Sequence, residues 1–249
     1  MGNNLRVLMY HRTIPDGTPD LLTVTADQLE NQFKAIKKEG YSCVTVNEII
    51  DHIANGTPLK ENAILLTFDD GYKNNLTVLY PLLKKHQLSA IIFLVPGYTE
   101  LANSNKSEEY LTIGDIQSMD PETIEYGLHT FNHESYNTLD LGAIETDIIK
   151  TKNWFSTHGL RYQPALAYTY GEFPKGNKNK LNALFNLFES HGIKAAFNIG
   201  NRVNILPLQK KFVIQRIDVR GTETLNRFIS KVKTGKPITG LIKDFLGKP

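Results

Sequence analysis

Cysteine is almost absent from this 249-residue chain. The single one, Cys43, excludes an intrachain disulfide framework and any cysteine-rich metal site. It sits in Tyr41-Ser-Cys-Val-Thr-Val46, which reads as a buried strand, so core packing is its expected role. Long apolar runs are missing too: the longest, Ala90 to Val95, is far short of the roughly 20 residues that span a bilayer. Neither sign of charge is in excess. With 28 Lys plus Arg against 26 Asp plus Glu, the net +2 leaves no electrostatic footprint for nucleic acid. No Ser nucleophile elbow, Gly-rich phosphate cradle or internal repeat occurs. Strand-like sequence begins by Leu5, leaving no room for a signal peptide, so the chain as it stands reads as cytoplasmic. A trimmed form of an exported protein would read the same way.

What is present is enough apolar material, 41% of residues, for one full domain over 1–249. Short apolar runs at 6–10, 42–46, 63–68, 90–95, 124–127, 165–168, 194–198 and 212–217 read as strands. Helical periodicity fills 25–39, opened by a Thr25-Ala-Asp-Gln28 capping box, and also 140–158 and 178–190. The stretch 73–86 should break near Tyr80, because Pro81 cannot sit inside a helix. Seven or eight strands alternating with helices predict a parallel α/β fold, with a barrel favoured over an open sheet at this length. Chemistry in such a barrel sits on the loops after the strands, so Thr99 to Thr112 is expected at the mouth. The tail 237–249 carries Ile238, Leu241, Ile242, Phe245 and Leu246 at helical spacing and reads as a helix docking on its own barrel.

Three strand ends carry unusual groups. Asp69 and Asp70 are adjacent after Leu65-Leu66-Thr67-Phe68, and neighbouring carboxylates raise one another's pKa unless a cation neutralises them. A hairpin turn at Asp70-Gly71 is the plainer reading, but Tyr72 to Lys85 is helix-like. His129 and His133 follow the run 124–127, four residues apart, a spacing that lets two imidazoles share one ion. An Asp with two His on separate strand ends is a familiar zinc ligand set that leaves open positions. His11 ends the first strand, where a lone His is more often a satisfied core or rim residue. His52, His86, His158 and His191 fall on or at the ends of helical stretches and are expected in solvent.

These residues resemble a known family. Thr67-Phe-Asp-Asp-Gly71 is similar to the first motif of the polysaccharide deacetylases, the NodB-homology group also called carbohydrate esterase family 4. His129-Thr-Phe-Asn-His133 resembles their second motif, and Ala167-Tyr-Thr-Tyr-Gly171 their third, with Thr169 in place of its proline. The resemblance covers about residues 5–230 and implies a distorted (β/α)7-8 barrel of the NodB type. No late Leu-x-His motif follows His191; Val7-Leu-Met-Tyr-His11 instead resembles the circularly permuted subgroup that includes poly-N-acetylglucosamine de-N-acetylases. The arginine that precedes the third motif in this family is also missing. Arg216 or Arg220, with Asp218, is the candidate replacement, against a plainer reading as solvated strand-end charges.

The resemblance implies a metal-dependent hydrolase that removes N-acetyl groups from an amino-sugar-containing glycan or glycoconjugate. Asp70, His129 and His133 would hold a divalent ion, zinc first. Asp69 would activate the ion's water as base, His11 would protonate the leaving amine, and the backbone N–H of Tyr170 would face the oxyanion. Two readings compete: a non-catalytic glycan-binding protein on a degenerate scaffold, and a deacylase of small cytosolic N-acyl compounds.

Overall fold

The computed structural model describes residues 4–235. The chain begins with β1 (Asn4–Tyr10), then β2 (Arg12–Ile14) and β3 (Thr23–Thr25), which pair with each other in parallel. Next come α1 (Ala26–Lys38), β4 (Ser42–Cys43), α2 (Val46–Asn55) and β5 (Ala63–Asp70). A wide π-type turn, Asn75–Leu79, leads into α3 (Tyr80–His86), followed by β6 (Ala90–Leu94), α4 (Pro96–Asn103), α5 (Ile113–Ser118) and β7 (Ile124–Leu128). The remainder is α6 (Leu141–Thr157), β8 (Ala165–Ala167), α7 (Lys178–Ser190), β9 (Ala195–Ile199), β10 (Asn204–Ile205), β11 (Ile214–Asp218) and α8 (Leu225–Thr234).

Seven of these strands close a parallel barrel in the order β1, β5, β6, β7, β8, β9, β11, with β11 pairing back to β1. β4 adds to β5 on the outside, and β10 runs antiparallel beside β1. Alternation along the strands separates two apolar layers. Leu5 and Val7, Ala63 and Leu65, Ile91 and Phe93, Ala165 and Ala167, Ala195 and Phe197, and Ile214 pack together inside the barrel. Their neighbours in sequence, such as Leu8, Ile64, Leu66 and Ile92, pack outward under the helices. Room inside is short: a Cβ on Gly127 would lie 2.6 Å from the Phe93 ring, so glycine is required there. Two residues further along the inward faces, apolar side chains give way to Thr67, Asp69, His129 and Arg216, which form the mouth.

The barrel expectation holds, with seven strands doing the closing. The strand expected over 42–46 stops at Cys43, because Thr45 and Glu48 form a capping box that starts α2. Val44, Val46 and Ile49 then plug the base of the barrel interior. Cys43 is half-buried and donates to Ser89 O at 3.2 Å; burial pushes its thiol up, which suits packing over reactivity. The chain does not break at Tyr80: Leu79 and Tyr80 both keep right-handed helical angles, and the wider π-type turn over Asn75–Leu79 runs directly into α3, accommodating Pro81 at its second position. The helix expected at 237–249 lies outside the described residues.

Candidate active site

The chain leaves β5 through two successive left-handed residues, Asp70 at φ 74° and Gly71 at φ 73°. Asp tolerates this region better than most side chains, and a Cβ on residue 71 would lie 2.7 Å from Leu94. This turn puts two buried carboxylates at one rim with different surroundings. Asp70 Oδ1 lies 3.5 Å from His129 Nε2 and 3.3 Å from His133 Nε2. One ligand atom from each of the three residues falls within 4.8 Å of the others.

The donor set fits a divalent cation. Asp70 Oδ1 is buried without a hydrogen-bond partner, a costly condition that a cation between it and the imidazoles would relieve. His129 Nδ1 donates to Ala167 O at 2.8 Å, and a carbonyl only accepts, so Nε2 keeps its lone pair for a metal. Burial also pulls the His129 pKa down despite the nearby Asp69 and Asp70, keeping the ring in its neutral, ligating form.

Asp69 has a cation of its own. Burial alone would raise its pKa, but Arg216 donates NH1 to Oδ1 at 2.7 Å and, helped by His129 and His11, brings the carboxyl down to about 2. Arg216 is fully buried, lies 5.7 Å from the Phe93 ring centroid, and also donates to Thr67 Oγ1 at 3.3 Å. The reading of Arg216 as a solvated charge is corrected: it is buried and bonded to Asp69, the contact expected of the candidate replacement arginine. Asp69 Oδ2 is left facing His129 Nε2 at 3.8 Å and His11 Nε2 at 4.0 Å. His11 is held by Asn75, whose Nδ2 donates to His11 O at 3.3 Å.

Asp218 does not join this group. Its carboxylate accepts from Arg220 Nε at 2.6 Å, and among the described residues it makes no hydrogen bond or ion pair with Asp69, Asp70 or His11. Tyr170 sits in the tight turn Thr169–Gly171 after β8, left-handed at φ 57°, and the residue is 64% exposed. The Thr99–Thr112 segment does reach the mouth. Tyr98 of α4 stacks on Tyr110 at 4.3 Å and lies 5.8 Å from His133, and Tyr72 stacks on the Tyr110 ring at 5.3 Å.

Other positions were not singled out by sequence. Asp147 of α6 accepts from Phe131 N at 2.7 Å and Tyr136 Oη at 2.6 Å, bracing the loop that carries both histidines. The signal available was an acid on an apolar helix face, beside Ile144, Ile148 and Thr151. His52, expected in solvent, is buried with Nδ1 2.8 Å from Thr57 O.

A sequence model described as polysaccharide deacetylase matches residues 56–184, more than half of the chain. The chain belongs to the polysaccharide deacetylase family. His11 and Arg216 lie outside the matched span. A Bacillus subtilis protein carrying the polysaccharide deacetylase name, YxkH, is 27% identical over 68% of this chain and 57% of its own length. The Escherichia coli poly-β-1,6-N-acetyl-D-glucosamine N-deacetylase is 26% identical over 67% of this chain and 26% of its own. The chain thus spans little more than half, or about a quarter, of these relatives. Among solved structures, the Streptococcus pyogenes deacetylase PplD superposes with a TM-score of 0.77 at 20% identity, covering 95% of this chain and all of that one. At that identity the likeness is one of fold.

Proposed function

We propose that this family member hydrolyses the N-acetyl group of an amino sugar within a glycan or glycoconjugate, using a divalent cation, zinc first, at Asp70, His129 and His133. The observation that carries the reading is the split between the two carboxylates: Asp70 Oδ1 is unpartnered beside two imidazole Nε2 atoms, while Asp69 is held by Arg216. A cation bound there supplies Lewis-acid polarisation of the acetamide carbonyl and acidifies water, whose pKa drops from 15.7 to about 7 in the strongest zinc cases.

The protein's own groups do the rest. Asp69, ionised at any physiological pH, accepts the proton of the attacking water on Oδ2 while Arg216 keeps Oδ1 in place. The backbone N–H of Tyr170 faces the oxyanion that develops on the carbonyl. His11, which faces the same Asp69 oxygen, gives a proton to the amide nitrogen as the C–N bond breaks, releasing acetate and a free amine. The competing glycan-binding reading draws on the loose third motif and the missing arginine, and the Arg216–Asp69 contact speaks against the second of these.

The test is acetate release from chitooligosaccharides, poly-N-acetylglucosamine fragments and small N-acetyl compounds, with and without chelator. Chelator-sensitive release from the saccharides is expected. Metal-loaded protein that binds them yet frees no acetate would overturn the reading.

A further inference from the structure

The two imidazoles approach Asp70 through Nε2, and each has its other nitrogen engaged. His129 Nδ1 meets Ala167 O at 2.8 Å, and His133 Nδ1 meets Tyr170 Oη at 3.1 Å. Both partners come from one short stretch, the end of β8 and the turn after it. Two more bonds tie the same stretch to the histidine loop: Thr169 Oγ1 donates to Glu134 O at 2.7 Å, and Ser135 Oγ donates to Glu172 Oε2 at 2.7 Å. Thr169 replaces the proline of the family's third motif, and a proline could not make its bond. The turn and the loop are thus fastened at four points.

The two ligands do not need this support equally. His129 directly follows β7, is buried, and its backbone N–H is bonded to Leu94 O at 3.1 Å. His133 lies out on the loop in a left-handed conformation, φ 62°, a state that costs a non-glycine residue free energy. Its ring makes one hydrogen bond among the described residues, the one to Tyr170. The Tyr170 ring stands edge-on to it, with centroids 4.6 Å apart and planes at 74°. With Nε2 on a cation the hydroxyl would accept Nδ1–H, and in either tautomer this bond fixes the ring plane and holds Nε2 toward Asp70.

We propose that the Tyr170 hydroxyl is the positioning group for His133, so that the side chain of this turn residue tunes cation affinity separately from any role of its backbone N–H. The inference rests on the cation site proposed above. Groups that orient a ligating histidine typically change affinity by 10–100-fold when removed.

The experiment measures zinc affinity by chelator competition on the full chain without substrate. Tyr170→Phe keeps ring and backbone and deletes only the hydroxyl. Zinc binding about 10–100-fold weaker is expected, with the melting temperature of the metal-free protein unchanged. Nitrogen-15 shifts compared between the two zinc-loaded proteins should show the His133 Nδ1–H moving on loss of the hydroxyl while that of His129 stays in place. Tyr98→Phe deletes a different phenol hydroxyl near His133 and should leave affinity unchanged. Tyr170→Phe binding within about threefold of the parent would overturn the inference, as would an equal loss in Tyr98→Phe. A parent chain that binds no zinc sinks the cation site as well, so the parent measurement separates the two failures.

Discussion

Both ends of the barrel hold a carboxylate, buried at the mouth and partly buried at the base, and they treat it in opposite ways. At the mouth, Asp69 has one hydrogen-bonding partner among the described residues, the Arg216 guanidinium, and its pKa falls to about 2. At the base, Glu125 of β7 accepts from Val46 N at 2.7 Å, Asn47 N at 3.3 Å and Gln163 Nε2 at 2.9 Å. Burial nevertheless pushes the Glu125 pKa up. Three neutral donors fail to offset desolvation and the nearby Glu48 charge, where Arg216, helped by His129 and His11, more than offsets desolvation at Asp69. The number of hydrogen bonds is therefore a poor guide to charge state; a full opposite charge at contact distance decides it. On the proposed mechanism Asp69 must stay ionised to accept a proton, and Arg216 keeps it so, whereas Glu125 caps the start of α2 without such a partner. Space is no better guide. A cavity of about 840 Å³ opens at the base, beside Glu125, Tyr126 and Gln163, but the carboxylate there is already satisfied.

The sharpest way to break this contrast is at the paired aspartates. Asp70→Asn should abolish both zinc binding and acetate release, because it removes the anionic ligand. Asp69→Asn should retain zinc while turnover falls about 10²–10⁴-fold, the usual contribution of a general base. Parallel zinc titration and acetate assays distinguish them, and near-normal turnover in Asp69→Asn would remove it as the base. Next in size is Arg216→Met, which leaves Asp69 buried without its cation. Breaking a buried pair from one side costs about 3–5 kcal/mol, so urea unfolding should show a loss of that order along with activity. A loss below about 1 kcal/mol would mean that water reaches Asp69 and that burial there is weaker than the structure indicates.

Much of the mouth was legible because its chemistry is local in sequence. Asp69-Asp70 and the His129/His133 pair each lie within one short segment at a strand end, and the apolar alternation that locates the strands locates them too. Arg216 was harder to weigh. Its contact with Asp69 joins residues 147 positions apart, and closure of β11 onto β1 brings those strands together. A clue existed in the period of two: Arg216 shares its face with Ile214, an interior residue, so a solvated arginine was the less consistent reading. Asp218 shares that phase and still pairs outward with Arg220, which shows that phase fixes a direction but not a partner. The overlong strand at 42–46 came from weighting Val44 and Val46 above the Thr45/Glu48 capping box. Asp147 left no trace beyond its position on a helix face, since its partners Phe131 N and Tyr136 Oη are set by loop conformation.

The smallest effect sharpens the comparison from the other end. Because the pKa of Glu125 is raised in the folded protein, the native state keeps a proton that the unfolded chain has already released. Stability from this group is fully present below the ordinary glutamate value, about 4.3, and is lost as pH rises through the elevated folded value. Glu125→Gln removes the titration, so the urea midpoint of the variant should fall less steeply than that of the parent as pH rises from about 4. The difference should be about 1 kcal/mol or less, because the site is half-exposed and its backbone partners persist. Acetate release should be unchanged, since Glu125 lies at the opposite end of the barrel from Asp69. Identical pH slopes for parent and variant would mean that the neutral donors at the base do hold the charge, and that the two ends differ less than their partners imply.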